Sequence, residues 1–232
     1  EVSFMGITDG ETFIPLATSQ DHKRAYDNDE GPNTGGMGSY SPARILNEEE
    51  QAIVMNSIIY PLLAKLMEKG RPYKGFLYAG LMMVKGKPYV LEFNARLGDP
   101  ETQSILLRMK SDIVPYLIGV AEGNLKREPI VWDERFAVCV VMASQGYPGS
   151  YKKGMEITGL SLFKDREDIV VFHAGTENKD GRVVTSGGRV LSVCALDTSP
   201  EKAITKVYDA VFQIHFDGAF YRRDIARRAI NR

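Results

Sequence analysis

The sequence predicts an α+β fold in two parts, and three observations carry the prediction. The runs "GFLYAGLMMV" and "KPYVLEFNA" flank Lys85-Gly86-Lys87 and read as adjacent antiparallel strands. The segment "NEEEQAIVMNSIIYPLLAKLMEKG" places apolar residues at 55, 58, 59, 62, 63 and 66, which is the period of a helix. Downstream, "FAVCVVMA", "DIVVFHAG" and "GRVLSVCALD" are strand-like runs separated by glycine-rich turns, followed by one amphipathic helix, "SPEKAITKVYDAVFQI". The first part is then an antiparallel sheet with helices, and the second a small β-rich α+β domain. The polar, proline-containing "NLKREPIVWDER" sets the boundary near Pro129 to Asp133, giving domains 1–130 and 131–232.

Each element has a local signal. "VSFMGITDGETFIPL" reads as a hairpin with Asp9-Gly10 as a type I′ turn. Because Glu1 opens onto a hairpin already under way, without Met, the sequence is expected to have lost something upstream. Asn47 and Glu50 form an Asn-led capping box, Gly70 is the stop, and Pro61 removes a hydrogen bond, which predicts a kink. Asp99-Pro100 reads as an N-cap followed by proline at the first helical position, opening a helix through "ETQSILLRMK". "SDIVPYLIGVAEG" ends at Gly123, and Ser199 or Thr198 caps the last helix, whose apolar pairs fall at 203/204, 207/208 and 211/212. The terminal "YRRDIARRAINR" holds five arginines and one aspartate and is expected to be a solvated helix with an Asp224 to Arg228 pair.

Composition excludes several classes. A chain of 232 residues, 44% hydrophobic and 25% charged, is ordinary for a globular protein, and 29 basic against 30 acidic residues leave a net charge of -1. That balance gives no broad attraction to nucleic acid or membrane, and the terminal arginines alone do not make a nucleic-acid site. Cys139 and Cys194 both lie inside apolar runs and read as small buried hydrophobes of a reducing compartment. With no sequon, no secretory segment and no apolar stretch near 18 residues, a cytoplasmic protein is expected. There is no G-x-x-x-x-G-K-[ST], no strand followed by G-x-G-x-x-G, no G-x-S-x-G, no paired CxxC and no H-E-x-x-H.

Two segments carry chemistry. In "YVLEFNARLGDPE", strand alternation puts Leu91, Phe93 and Ala95 on one face and Glu92, Asn94 and Arg96 on the other. A carboxylate and an amide oxygen two residues apart suit Mg²⁺ held mainly through substrate phosphates, and an adjacent guanidinium can neutralise a phosphoryl group or clamp an acyl phosphate. The alternative is an exposed sheet face whose polar residues stay wet. Asp99 and Glu101 could act as acid and base, although a cap explains Asp99 better. The second segment is "SQDHKRAYDNDEGPNTGGMGSY", where Asp21, His22, Lys23 and Arg24 precede four glycines within the stretch Gly31 to Gly38. Glycines let backbone N–H groups approach an anion, so this is either a phosphate cradle or a mobile surface loop. His173 and His215 read as structural.

Taken together, "TSQDHKRAYDNDEGPNTGGMGSYSP", "YKGFLYAGLMM", "LEFNARLGDPETQ" and "LRMKSD" resemble the C-terminal part of the ATP-grasp region of the glycinamide ribonucleotide synthetase (phosphoribosylamine-glycine ligase) family. "VVMASQGYPGSY", "VFHAGT", "VTSGGRVLSV" and "RRDIARRAI" resemble that family's C-terminal domain. The resemblance implies an ATP-grasp fold and a ligase of purine synthesis that joins glycine to 5-phosphoribosylamine with ATP, through a glycyl phosphate. It implies Mg²⁺ or Mn²⁺ held by Glu92 and Asn94, with Asn94 and Glu1 also at the nucleotide, and Arg96, Lys23 and His22 in catalysis. It further implies substrate or phosphate contacts from Asp21, Arg24, Asn33, Thr34, Gly35, Gly36, Met37, Gly38, Asp99 and Glu101. Many ATP-grasp enzymes carry another acidic ligand where Ala79-Gly80-Leu81 offers none, so a two-ligand metal site is expected.

The family's N-terminal domain and the strands and hinge before Glu1 have no counterpart here, so the isolated polypeptide is expected to bind ATP weakly and turn over little or nothing. Two rival readings remain at this stage: an ATP-grasp ligase for another carboxylate and amine, or a non-catalytic fragment with a vestigial site.

Overall fold

The computed structural model describes residues 1–230. Contacts divide the chain into two compact units that interleave along the sequence: Glu1–Gln20, Pro42–Gly98 and Met109–Asp133 form the first, and Asp21–Ser41, Asp99–Arg108 and Glu134–Arg232 the second.

The first unit is built on a four-stranded antiparallel sheet in the order Phe13–Pro15, Val2–Thr8, Gly75–Val84, Lys87–Asn94. Thr8 pairs with Phe13, so the hairpin loop has four residues, not the two of the expected type I′ turn. Asp9 explains the longer loop. Its Oδ1 accepts the N–H groups of Glu11 and Thr12 at 3.1 and 2.8 Å, and its Oδ2 accepts that of Leu125 at 2.8 Å. Lys85-Gly86 does form a two-residue turn with both residues at positive φ, as a type I′ hairpin requires.

The capping box at Asn47 and Glu50 closes in both directions, at 2.8 and 2.9 Å. Pro61 is accommodated by a π-helical stretch, Met55–Ile59, immediately before the helix Tyr60–Glu68. Widening the turn reroutes the bond that the proline cannot make, through Tyr60 N–H to Met55 O. Gly70 and Gly123 end their helices at positive φ.

The second unit centres on the strand Phe136–Ser144, every residue of which is buried. Side chains alternate across a strand, so burial of all nine means both faces are covered. Arg189–Asp197 pairs on one edge and Gly38–Ser41 on the other, with Ile169–His173 beyond Arg189–Asp197. The helix Pro200–Val211, capped by Ser199, packs Ala203, Val207, Ala210 and Val211 inward; Ile204 and Tyr208 are half-buried and Phe212 is exposed. Cys139 and Cys194 face each other in register and are fully buried, which pushes the Cys194 thiol pKa up.

Interleaving follows from strand pairing. Gly38–Ser41 supplies a strand of this sheet beside Phe136–Ser144, and the short helix Glu101–Leu106 packs on it, with Ser39 Oγ donating to Pro100 O at 2.9 Å and to Ser104 Oγ at 2.8 Å.

Two expected helices differ. The one after Asp99 starts a residue later and spans only Glu101–Leu106, with no side-chain cap, because Asp99 is engaged elsewhere. Residues 221–230 form no α-helix; a single 3-10 turn, Arg227–Ala229, is all that appears, and the Asp224 to Arg228 pair gives way to Arg222–Asp224 and Arg228–Asp29. Arg232, the last of the five arginines, lies outside the described residues.

The turn leading into Arg189–Asp197 depends on glycine. A Cβ built on Gly175 would stand 2.5 Å from Gly187 Cα and 2.6 Å from Arg189 O, both backbone atoms that cannot swing aside. Gly175→Ala should therefore destabilise the protein by about 1–3 kcal/mol, the usual range for overpacking. Urea unfolding measures this, and an unchanged midpoint would contradict the packing described.

Candidate functional site

In the first unit, Glu92 and Asn94 lie on one face of the sheet as predicted, whereas the strand ends at Asn94 and Arg96 falls in the bend beyond it. Ser3 pairs with Gly80 and Gly80 with Glu92, while Met5 pairs with Tyr78 and Tyr78 with Asn94. Residues directly opposite one another point to the same side, so Glu92 and Asn94 share their face with Ser3 and Tyr78. Glu1, two residues before Ser3, extends this row at the end of the strand. Ser3 Oγ and the Tyr78 hydroxyl meet at 2.9 Å, both buried, and sequence reasoning had missed this pair because neither residue stands in a recognisable motif.

Alternation fails at one point. The register shifts between Gly80 and Leu81, so Leu91 is the extra residue of a bulge and does not simply join Phe93. Leu91 and Phe93 are both exposed, not the buried side of a half-covered strand.

Glu92 and Asn94 touch, with Asn94 Nδ2 donating to Glu92 Oε1 at 3.1 Å. Gly80 leaves room for this: a Cβ there would lie 3.1 Å from Glu92 Cγ, so a larger residue would push the carboxylate away. Both side chains offer hard oxygens, which fits a divalent cation completing its shell from phosphate and water. Among the described residues no three His, Cys, Asp or Glu side chains gather as a metal cluster, so the metal reading rests on this pair. Arg96 is exposed and donates to Leu97 O at 3.0 Å.

In the second unit, the two predicted halves of the loop are laced together. Thr34 N and Oγ1 both donate to Lys23 O at 2.8 Å, Met37 N donates to His22 O at 2.8 Å, and His22 N to Gly38 O at 2.9 Å. Gly36 N donates to Thr34 Oγ1 at 3.0 Å, and Gly35 N to the Tyr147 hydroxyl at 2.9 Å. The N–H groups of residues 34 to 37 are thus all spent on protein acceptors. In this arrangement the loop is not the backbone anion cradle that its glycines suggested.

The glycines serve close packing instead. A Cβ on Gly36, which has φ +116, would lie 2.4 Å from Pro100 Cδ. Met37 and Gly38 are buried, as is Glu101 at 3% exposure, whereas Asn33, Gly35 and Asp99 are exposed. Arg24 is exposed and reaches Gly31 O at 2.7 Å.

A buried cation fixes the loop that precedes the glycines. Arg222, 1% exposed, donates to both Asp224 oxygens at 2.8 and 2.6 Å, to Asp29 Oδ1 at 3.0 Å and to Arg24 O at 3.2 Å. Arg228 also pairs with Asp29, while Asp224 accepts Asn28 N–H at 2.9 Å and Asp27 accepts Arg223 N–H at 2.7 Å. Burial alone would raise the Asp224 pKa, but the Arg222 guanidinium and the Asn28 amide hold it down at about 2.

His22 is the predicted site residue most changed by the structure. Its ring is 1% exposed, Nδ1 lies 3.3 Å from Gly38 O, and Nε2 has no hydrogen-bond partner. Burial first, and then the positive charges of Arg222 and Arg228, lower its pKa to about 4. At neutral pH it is an uncharged interior ring, not a cation offered to phosphate.

This mixed α+β architecture with antiparallel sheets is that of the ATP-grasp fold. The biotin carboxylase domain of the 2-oxoglutarate carboxylase of Hydrogenobacter thermophilus superposes with a TM-score of 0.62 at 16% identity, over 94% of this chain and 46% of that one, a likeness of fold alone. The family model for the phosphoribosylglycinamide synthetase ATP-grasp (A) domain matches residues 1–102, and that for the C domain matches residues 137–228. The chain belongs to the phosphoribosylglycinamide synthetase family.

It is 50% identical to the phosphoribosylamine–glycine ligase of Rhodopirellula baltica over 99% of this chain and 53% of that protein. It is 51% identical to that of Escherichia coli O157:H7 over 100% of this chain and 54% of that protein. The crystal structure of the Thermotoga maritima phosphoribosylamine–glycine ligase superposes with a TM-score of 0.86 at 39% identity, over 96% of this chain and 55% of that one. The chain spans about half the length of these relatives.

The neutral His22 has a measurable consequence. With a folded pKa of about 4 against an ordinary 6.5, the unfolded chain takes up a proton that the folded one refuses, so stability is complete above about pH 6.5 and drains away as pH falls toward 4. The loss should be on the order of 3 kcal/mol at most. Denaturant titrations from pH 7 to 4 should show a shallower decline in His22→Phe; parallel curves for the two proteins would refute a buried neutral imidazole.

Proposed function

We propose that this chain supplies half of an ATP-dependent carbon-nitrogen ligase that joins glycine to 5-phosphoribosylamine, giving glycinamide ribonucleotide, ADP and phosphate. Residues 1–130 are read as the C-terminal portion of its ATP-grasp domain and residues 131–232 as its C-terminal domain. What carries the reading is the pairing of Glu92 with Asn94 on the sheet face that also bears Glu1, in a chain half identical to named phosphoribosylamine–glycine ligases.

In this reading a glycine carboxylate oxygen attacks the γ-phosphorus of ATP and ADP leaves. The resulting glycyl phosphate is attacked at its acyl carbon by the amine of phosphoribosylamine; the C–N bond forms, phosphate departs, and the amine gives up a proton. Glu92 and Asn94 would hold Mg²⁺ or Mn²⁺, which neutralises phosphate charge when bound. Glu1 would reach the nucleotide. Arg96, exposed beside the pair, would stabilise charge on the phosphoryl group in flight.

Since the N–H groups of residues 34 to 37 are occupied, anionic substrate would be met by the Lys23 and Arg24 side chains. Asn33, Thr34, Gly35 and Asp99 would then form the wall beside it, with Asp21 at its edge. Gly36, Met37, Gly38 and Glu101, being buried, would shape that wall from behind, as would His22. An acyl phosphate is lost to water unless it is enclosed, and a loop closed by internal hydrogen bonds suits that need.

The test uses the full-length protein and measures ADP formation with glycine and phosphoribosylamine each supplied or withheld. ADP should require both, and Glu92→Ala should lower kcat/KM by about 10²-fold or more, the scale of removing one electrostatic stabiliser. ADP released without phosphoribosylamine, or full activity in Glu92→Ala, would overturn the acceptor or the metal assignment respectively.

A further inference from the structure

We propose that Arg189 is a positioning residue of this ligase, clamping the glycine loop and the Asp99 turn into one substrate-facing wall. The proposal rests on the ligase reading above and adds to it a residue from the first position of the strand Arg189–Asp197. Arg189 Nη1 donates to Gly35 O at 2.9 Å, to Gly36 O at 3.4 Å and to Asp99 O at 2.8 Å, while Nη2 donates to Asp99 Oδ2 at 2.7 Å. One guanidinium therefore spans two chain segments that are far apart in sequence, and both carry exposed residues of the candidate site.

Three features show that this clamp is built into the fold. Gly35 has no side chain where a Cβ would come within 3.0 Å of Arg189 Cζ. Gly188 has none where a Cβ would lie 2.3 Å from Tyr147 Cδ2, so the tyrosine can lie against the turn that carries Arg189 and accept the Gly35 N–H through its hydroxyl at 2.9 Å. Gly175 and Gly187 meet backbone to backbone, with Gly175 N donating to Arg189 O at 2.9 Å, which fixes the arginine's own main chain. The motifs "QGYPGSY", "FHAGT" and "SGGRV" thus converge on one loop.

Arg189 acts through other groups, because its fork is spent on protein oxygens. Asp99 remains half-exposed, its Oδ2 paired with Arg189 and its Oδ1 accepting from Gln103 at 2.8 Å, which holds it in one orientation. Lysine offers a point charge and cannot span the same oxygens with a planar fork.

The experiment compares full-length wild type with Arg189→Ala, Arg189→Lys and Tyr147→Phe. Two readouts are taken: amide hydrogen exchange at residues 34–38, and steady-state kinetics with ATP, glycine and phosphoribosylamine varied in turn. Arg189→Ala should speed exchange in the loop while the strands Phe136–Ser144 and Arg189–Asp197 stay protected. It should also lower kcat/KM for glycine or phosphoribosylamine by about 10²-fold, the cost of misplacing a site by roughly 1 Å, with KM for ATP changed less than about two-fold.

Arg189→Lys should recover only part of this loss, and Tyr147→Phe, which keeps the fold but loses the hydroxyl, should loosen Gly35 alone. Unchanged kinetics despite faster exchange would overturn the positioning role and leave a structural clamp. Uniform loss across all three substrates, or unchanged exchange, would overturn it as well. If Arg189→Ala fails to fold, the lysine and phenylalanine variants decide by the same criteria. Should the wild type itself show no ligase activity, the functional reading fails, and the exchange result still decides whether Arg189 clamps the loop.

Discussion

The buried guanidinium of Arg222 is the constraint on which much of the second unit depends. A charge withdrawn from water to 1% exposure is tolerated only if its donors are satisfied, and here Asp224, Asp29 and the Arg24 carbonyl satisfy them. Those partners come from both ends of the unit's sequence, so the arginine dictates where the loop at residues 27–29 must sit. Asn28 and Asp29 accept positive φ to meet it. Removing one member of such a set typically costs about 3–5 kcal/mol, because the remaining charge stays buried without its partner. The same positive charge, added to desolvation, keeps His22 neutral. A residue type that promises acid-base chemistry in the sequence becomes interior packing, first through burial and then through an arginine two hundred positions away.

The glycines of residues 31 to 38 follow a parallel logic. A glycine-rich loop beside cations is compatible with two opposed arrangements: backbone N–H groups pointing at an anion, or backbone brought close to other backbone and rings. Hydrogen-bond accounting separates them. Thr34, Gly35, Gly36 and Met37 each donate within the protein, and Gly36 and Gly38 occupy positive φ where a Cβ would strike Pro100 Cδ or Cys139 O. In the ligase reading, electrostatic work at this face would fall to the long side chains of Lys23 and Arg24.

These cases mark what was legible in the sequence. Most signals confined to a few residues were read correctly, because the physics that sets them is equally local: the Asn47–Glu50 box, the stop at Gly123, a cap at Ser199 of the two candidates Ser199 and Thr198, and a turn at Lys85-Gly86, one residue shorter than Lys85-Gly86-Lys87; Asp9-Gly10 was not, because the Asp9 carboxylate holds a four-residue loop. Long motifs gave the fold and the family. Other misreadings occurred where a distant partner outbid a near one. Asp99 has the sequence of a helix cap but is claimed by Arg189, ninety residues on. Asp224 has the spacing for an (i, i+4) pair with Arg228, yet Arg222 takes both its oxygens and Arg228 turns to Asp29. The bulge at Leu91 has no sequence mark, since it arises from the strand it pairs with.

A division of labour between the units follows from where polar atoms are left available. On the sheet face of the first unit, Glu92 is exposed and Asn94 half-buried, joined by a single hydrogen bond, and Arg96 just beyond the strand is exposed with its guanidinium on Leu97 O. In the second unit the comparable charges are already matched inside Arg222, Asp224 and Asp29, or Arg189 and Asp99. Ligand chemistry requires groups that trade water for ligand, whereas shape requires groups that have traded water for protein. Arg189 and Arg222 are thus committed to geometry, and in the ligase reading the groups left to trade water for ligand would be Glu92, Asn94 and Arg96 in the first unit and Lys23 and Arg24 in the second. An arginine-rich motif such as "RRDIARR" therefore does not by itself mark an anion site; the carboxylates that claim its members decide whether any charge remains for a ligand.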